Sequence, residues 1–373
     1  MKAVIVGGGI IGGAIAWRLA RDGVAATVLE RGRLGREASW AAAGMIAPQA
    51  EAQSAGLFFD LCMAGRRVFA ATVERLIADS GVDPEYDAQG ILYLALDAAE
   101  HAELTARARW HRECGALVEE LSPAEARRLE PAISPAIVHA LHFSDNRRVD
   151  NRKLTQAYVA AALAAGAAVR ENARVDAIVT AGGRATGVRL DDGARLDADL
   201  VIIAAGAWSH EIRGLEGDRV RLFPVRGQIL CFEARPRLLG PALFSPRGYL
   251  VPRRDGRILA GSTMEEAGYD QSVTLAGIEK IARGVAVMAP AIGELRFREA
   301  WAGLRPATRD LLPVLGPSPT APNVIWATGH YRSGILLSAL TGEVIADLVA
   351  GRRPAIDPAP FSAARFARDR VDL

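Results

Sequence analysis

The chain has 373 residues, 50% of them hydrophobic, with 45 basic and 43 acidic side chains and a formal net charge of +2, enough apolar material for two domains or for one domain with a large insertion. The charges are interspersed, so no basic stripe points to nucleic acid, and no uncharged run reaches the roughly 20 apolar residues of a membrane helix, which speaks against stable membrane association. The three cysteines, Cys62, Cys114 and Cys231, are widely spaced without a CxxC pair or nearby paired histidines, a usage that indicates neither a disulfide framework nor a zinc site and fits a reducing cytoplasm.

Ala3-Val4-Ile5-Val6 reads as a buried strand, followed by Gly7-Gly8-Gly9-Ile10-Ile11-Gly12, a helix to Asp22, the stop Gly23, and a second strand over residues 25–29 that ends on Glu30. Gly7 permits a tight turn, Gly9 lets backbone N–H groups approach a pyrophosphate, and Gly12 lets the helix lie close to the sheet. The helix N-terminus then faces the phosphates with partial positive charge. Glu30 stands where a carboxylate accepts a hydrogen bond from an adenosine ribose and would repel a 2′-phosphate, so a dinucleotide other than NADP is expected. Lys2, the uncharged run to Trp17 and Ala14-Ile15-Ala16 imitate a secretory signal, but glycines at phosphate-loop spacing interrupt that run.

Further along, residues 33–49 read as a long loop rich in glycine and alanine, 57–80 as a helix, 90–96 as a strand, and 98–114 and 123–129 as helices. Ser122-Pro123-Ala124-Glu125 carries Ser at the N-cap, Pro at the first helical position and Glu at the third. Asp150 caps a helix that Gly166 stops, Val169 starts a strand, and further strands cover 187–192 and 196–204. Segments 227–233, 249–252 and 257–262 suggest a separate, mostly antiparallel sheet against which a ligand could sit. A strand at 323–327, a loop at 328–334 and a helix at 335–349 echo the N-terminal unit. With no linker or repeat in sight, interleaved domains are expected, one from 1–80, 141–213 and 302–373, the other from 81–140 and 214–301.

Together with the N-terminal unit, the motifs Ala41-Ala42-Ala43-Gly44-Met45, Ala205-Gly206-Ala207-Trp208, Trp301-Ala302-Gly303-Leu304-Arg305-Pro306 and Gly329-His330-Tyr331-Arg332-Ser333-Gly334-Ile335 carry a resemblance. The chain resembles the FAD-dependent D-amino acid oxidase family, and within it the glycine oxidase branch associated with thiazole formation in thiamine biosynthesis. The likeness covers nearly the whole chain in the right order. It implies an α/β fold in which a Rossmann-like FAD-binding domain interleaves with an α+β substrate domain on a mostly antiparallel sheet. Carried over by motif, it places FAD against Gly7, Gly9, Ile10, Ile11, Gly12, Glu30, Arg31, Ala38, Ser39, Ala43, Gly44, Met45, Val175 and Gly206. It extends that contact to Gly329, His330, Tyr331, Arg332, Ser333, Gly334, Ile335 and Leu336. The substrate carboxylate falls to Arg305, helped by the Tyr249 hydroxyl, with Arg332 beside the ligand and Met45 and Met264 near a small cavity. Ser333 stands where the family pattern has Asn, and Trp40 occupies a small polar position. The resemblance also implies a homotetramer, a small amino acid substrate and O2 as partners.

The chemistry expected of these residue types needs positioning more than acid–base work, because the cofactor carries the reaction. A guanidinium holds a carboxylate bidentately, so Arg305 with Tyr249 would aim the substrate Cα at flavin N5 for hydride transfer. The helix from Ile335, preceded by a glycine-rich loop, could stabilise negative charge on the reduced ring. No catalytic acid or base and no metal is expected. FAD should be noncovalent, since the related covalent enzymes need a cysteine in the C-terminal region and none follows Cys231. Blander roles are expected for several residues: His330 bonding through its backbone, Met45 and Met264 filling core space, Trp208 and Trp301 packing, and Cys62 and Cys114 buried and inert on helices. A D-amino acid dehydrogenase using a quinone and a flavin module without turnover share these motifs.

Overall fold

The computed structural model describes residues 1–368. A six-stranded sheet runs in the order Val314–Pro317, Val324–Thr328, Leu200–Ile203, Lys2–Val6, Ala25–Leu29 and Ala168–Arg170. All its pairs are parallel except the antiparallel edge strand Val314–Pro317. The strands are buried on both faces, and alternate side chains choose different partners. Ala3, Ile5, Ala26, Val28 and Ile202 pack against the helices Ile10–Arg21, Leu57–Ser80, Asn151–Ala164 and Gly334–Val349. Val4, Val6, Leu29, Val201 and Ile203 pack against the three-stranded antiparallel sheet Val175–Ala181, Arg184–Leu190 and Arg195–Asp197. This period-2 division explains why the strands read as unbroken apolar runs.

The chain enters the sheet at Lys2–Val6 and later returns on its other side at Leu200–Ile203. A topological switch point of this kind opens a crevice beyond the strand ends. Gly7 turns there with φ +109°, and a Cβ on it would lie 2.4 Å from the Ala204 carbonyl oxygen. Gly12 lies so close beneath the loop that a Cβ would sit 1.9 Å from the Gly7 carbonyl oxygen.

The second layer is an eight-stranded sheet in the order Arg296–Ala307, Phe223–Glu233, Arg257–Gly261, Gly248–Pro252, Ala242–Ser245, Ile91–Ala95, His139–Phe143 and Glu119–Leu121. Its pairs are antiparallel except Ala242–Ser245 with Ile91–Ala95. One face packs under the helix Leu275–Ala286 through Leu250, Ala260, Ile281 and Val285. The other carries Tyr93, Ile229, Tyr249 and Trp301 toward Ala41, Ala43 and Ala47.

The helices Leu57–Ser80 and Pro123–Leu129 match their expected bounds, the latter with a capping box between Ser122 and Glu125. Asp150 caps Asn151–Ala164 as expected. Other segments differ. The expected loop at 33–49 contains the helical turn Ala38–Ala41 and the strand Met45–Ile46, and a second turn, Pro48–Glu51, runs past its end. These pieces are too short to show a period. The expected strand at 196–204 is two strands in two sheets, Arg195–Asp197 and Leu200–Ile203. The change occurs where the Asp199 carboxylate accepts the Lys2 N–H at 2.7 Å, a tertiary tie that an apolar run does not reveal. Cys114 corrects another expectation: at the C-cap of Ala98–Glu113 it is exposed, whereas Cys62 is buried.

Candidate functional site

Two adjoining cavities lie between the layers, sharing Ala38, Ala42, Tyr331, Arg332 and Ile335 in their walls. The longer one starts at the switch point and is lined by Gly7, Gly9, Ile10, Ile11, Glu30, Arg31, Ser39, Val175, Gly206, His330 and Gly334. Two helix N-termini reach it, Ile10–Arg21 and Gly334–Val349. The first-turn N–H of Ile10 donates to Ser39 Oγ at 2.9 Å, but those of Ile11, Gly12, Ile335 and Leu336 have no partner among the described residues. Free donors at aligned helix ends form an anion-binding and electron-rich-ring-binding surface. A Cβ on Gly9 would meet only Ser39 Oγ, at 3.1 Å, leaving its other side open to a ligand.

Glu30 is 7% exposed. Its two carboxylate oxygens accept from Gly8 N–H at 2.8 Å and Gly32 N–H at 2.9 Å. The acid therefore braces the phosphate loop while lining the cavity. Outward from it, the Arg31 guanidinium stacks 3.4 Å from the Trp208 ring centroid and pairs with Glu37 at 2.6 Å. Trp208 also stacks on Tyr269. It is thus a half-buried packing residue that also walls the long cavity. Trp301 takes the expected packing role, buried with its indole N–H donating to the Ala41 carbonyl at 3.0 Å.

The smaller cavity, about 80 Å³ in volume, is lined by Ala43, Gly44, Met45, Glu51, Tyr249, Ser262, Arg305, Arg332, Ser333 and Leu336. Two glycines shape it. A Cβ on Gly227 would lie 2.2 Å from Arg305 Nη1, and one on Gly261 would lie 2.4 Å from the Tyr249 hydroxyl. Both long side chains therefore lie flat over neighbouring strands, with their polar ends in the cavity. Arg305 donates to the Thr263 carbonyl at 3.1 Å and to Ser262 Oγ at 2.8 Å. No acid pairs with it among the described residues. Burial, aided by the positive charge of Arg332, pushes its pKa below the ordinary value. Burial pushes the Tyr249 phenol up, so it stays a neutral donor.

Of the expected site residues, Gly12, Met264 and Gly329 line neither cavity; Gly12 lies within the first helix against Gly7, and Gly329 lies against Thr308. Met264 is 57% exposed and sits at the rim, its sulfur 3.5 Å from the Tyr331 hydroxyl. His330 is buried, but its ring Nε2 bonds Thr341 Oγ at 2.9 Å, so the expected backbone-only role is incomplete. Two groups were not expected. Arg253, fully enclosed, donates to the carbonyls of Val149 and Ala43 and to Asn151 Oδ1 at 2.5, 2.9 and 2.8 Å, which suspends the Ala43–Met45 turn beside the cavity. In the sequence it was one of a scattered arginine pair. Glu51 lines the cavity with its Oε2 2.6 Å from Arg332 Nη2. That contact is an ion pair without hydrogen-bond alignment.

Burial drives His330 down to about 3 and His111 down to about 4, against an ordinary 6.5. Between those values and 6.5 the unfolded chain binds protons that the folded chain refuses, so stability rises with pH through that window. These two histidines are expected to make the protein on the order of 3 kcal/mol less stable at pH 5 than at pH 7. Urea unfolding at the two pH values checks this, and equal midpoints would contradict it.

A family model described as FAD dependent oxidoreductase matches residues 2–348. The chain is 34% identical over 362 residues to a glycine oxidase of Pseudomonas putida, covering 97% of this chain and 98% of that one. Its structure matches the crystal structure of glycine oxidase from Geobacillus kaustophilus with a TM-score of 0.93 at 33% identity, covering 98% and 99% of the two chains. It also matches iminodiacetate oxidase from Chelativorans sp. BNC1 with a TM-score of 0.88 at 28% identity, covering 96% and 98%.

Proposed function

The chain belongs to the FAD dependent oxidoreductase family and is an FAD-dependent amino acid oxidase, and from that premise we propose that it deaminates glycine and other small amines, including sarcosine and small D-amino acids. The products would be an oxo acid, ammonia and, with O2 as acceptor, H2O2. FAD supplies the two-electron oxidation of the Cα–N bond when bound. The residues present fit it: free N–H groups at two helix ends, the open side of Gly9, and a buried acid beside the phosphate loop.

The observation that carries the substrate reading is Arg305. It is a desolvated guanidinium with only neutral partners, on the wall of a cavity sized for a small molecule. A carboxylate would complete its hydrogen bonds and neutralise it, with the protonated Tyr249 hydroxyl as a further donor. Arg305 thereby orients Cα, and the apolar walls from Ala43, Met45 and Leu336 exclude water. No side chain is assigned to move a proton: His330 faces Thr341 and Glu51 faces Arg332.

Mixing the holoenzyme anaerobically with glycine should bleach the flavin absorbance, and readmitting air should restore it with release of H2O2. Absent bleaching would leave a flavin module without turnover; bleaching with dye reduction but no peroxide would make the protein a dehydrogenase. Attachment is proposed to be noncovalent, since none of the three cysteines lines either cavity. Acid precipitation should leave the yellow colour in the supernatant, and a yellow pellet would refute that.

A further inference from the structure

Among the described lining residues of the small cavity, two are cationic, Arg305 and Arg332, and one is acidic, Glu51. The acid ends the short turn Pro48–Glu51, and its side chain is 13% exposed against 24% for Arg332. The charges are shared unequally. Arg332 is held by Glu51 at 2.6 Å, and that carboxylate is the main reason its pKa rises. Arg305 has neutral partners only.

We propose that Glu51 sets the charge selectivity of the cavity by neutralising Arg332, so that one guanidinium is open to one carboxylate and amines bearing a second anionic group are excluded. The inference rests on the cavity being the substrate site proposed above and adds a specificity-determining residue to it. A second carboxylate on the substrate would have to displace Glu51 from Arg332 or sit beside it in a water-poor space. Either way two like charges share a site built to compensate one, and repulsion of this kind discriminates against the wrong ligand. Without the Glu51 charge, two uncompensated guanidiniums would face one small cavity and favour a dianion. A pair that merely pinned the Pro48–Glu51 turn to the C-terminal loop would affect all amines alike, so the readout is a ratio.

Sarcosine and iminodiacetate form a matched probe, since the second is the first with a carboxylate added to its N-methyl group. Glu51→Gln should raise the ratio of kcat/KM for iminodiacetate over sarcosine by about 10- to 100-fold. Arg332→Leu, which leaves Glu51 uncompensated, should lower the same ratio. Ratios within about twofold of wild type in both variants, or a parallel loss of both substrates, overturn the proposal. If Glu51→Gln fails to fold, the direction of change in Arg332→Leu decides alone. Should the wild type turn over no amine, the proposed function fails, and the charge inference is read separately from flavin absorbance titrated with acetate and malonate. Glu51→Gln should then tighten malonate relative to acetate by about tenfold, and an unchanged preference overturns it.

Discussion

Replacing Arg305 by leucine is expected to lower kcat/KM for glycine by about 10²- to 10³-fold, since losing one partner of a buried charge pair costs about 2–5 kcal/mol. KM should rise and kcat should fall together, because the guanidinium both binds the carboxylate and aims Cα. Folding should respond quite differently. In the free protein this guanidinium is desolvated with no acid beside it, and its charged form is already disfavoured. Removing it relieves that burden while leaving the Thr263 carbonyl without a donor, a loss of about 1–3 kcal/mol in the opposite direction. The thermal midpoint should therefore move little. Steady-state kinetics beside a melting curve test both halves; near-normal glycine turnover would dismiss Arg305 as the anchor, and a collapsed fold would show that it holds the sheet together.

The second large effect separates two glycines of one motif. Gly12→Ala should prevent folding, since its Cβ would be placed 1.9 Å from the backbone oxygen of Gly7, with no flexible side chain to yield. Overlap with backbone in a close-packed region places such changes in the severe tail, above about 4 kcal/mol. Gly9→Ala should fold. Its φ is −76°, which alanine adopts freely, and its Cβ would approach only Ser39 Oγ at 3.1 Å. The same Cβ would intrude on the open side where backbone N–H groups meet the pyrophosphate, so the purified variant should be pale and bind added FAD weakly. Far-ultraviolet circular dichroism and flavin content distinguish the two. A yellow, stable Gly12→Ala protein would mean that the helix does not pack so tightly against Gly7, and an undiminished FAD content in Gly9→Ala would remove the cofactor from this loop.

The pH effect of the two histidines, by contrast, concerns stability alone. Neither His330 nor His111 lies where it could face an acid that would hold its proton: one bonds Thr341, and the other bonds the Arg107 carbonyl at 2.8 Å. Their neutral state is a property of the packed interior rather than of catalysis.

Where local pattern was strong, the chain was legible. The helices 57–80 and 123–129 were readable because apolar spacing and capping residues act within a few positions, and the first βαβ unit because glycine spacing and an acid at the strand tip are themselves local. Pieces of two to four residues, such as Ala38–Ala41, Met45–Ile46 and Pro48–Glu51, have no period to detect. The break between Arg195–Asp197 and Leu200–Ile203 depends on which sheet each half joins, and that is decided by strands far away in the chain.

The residue sequence alone determined the dinucleotide loop, because that rests on residue types at fixed spacing, and its motifs carried the family resemblance that singled out the arginine and tyrosine facing the small cavity. Only the tertiary structure decided that Gly227 and Gly261 make room for Arg305 and Tyr249, that Arg253 suspends the Ala43–Met45 turn, and that Glu51 compensates Arg332. Those contacts join residues 12 to 281 positions apart, and charge compensation over a few ångströms depends on distance in space, which spacing along the chain does not encode.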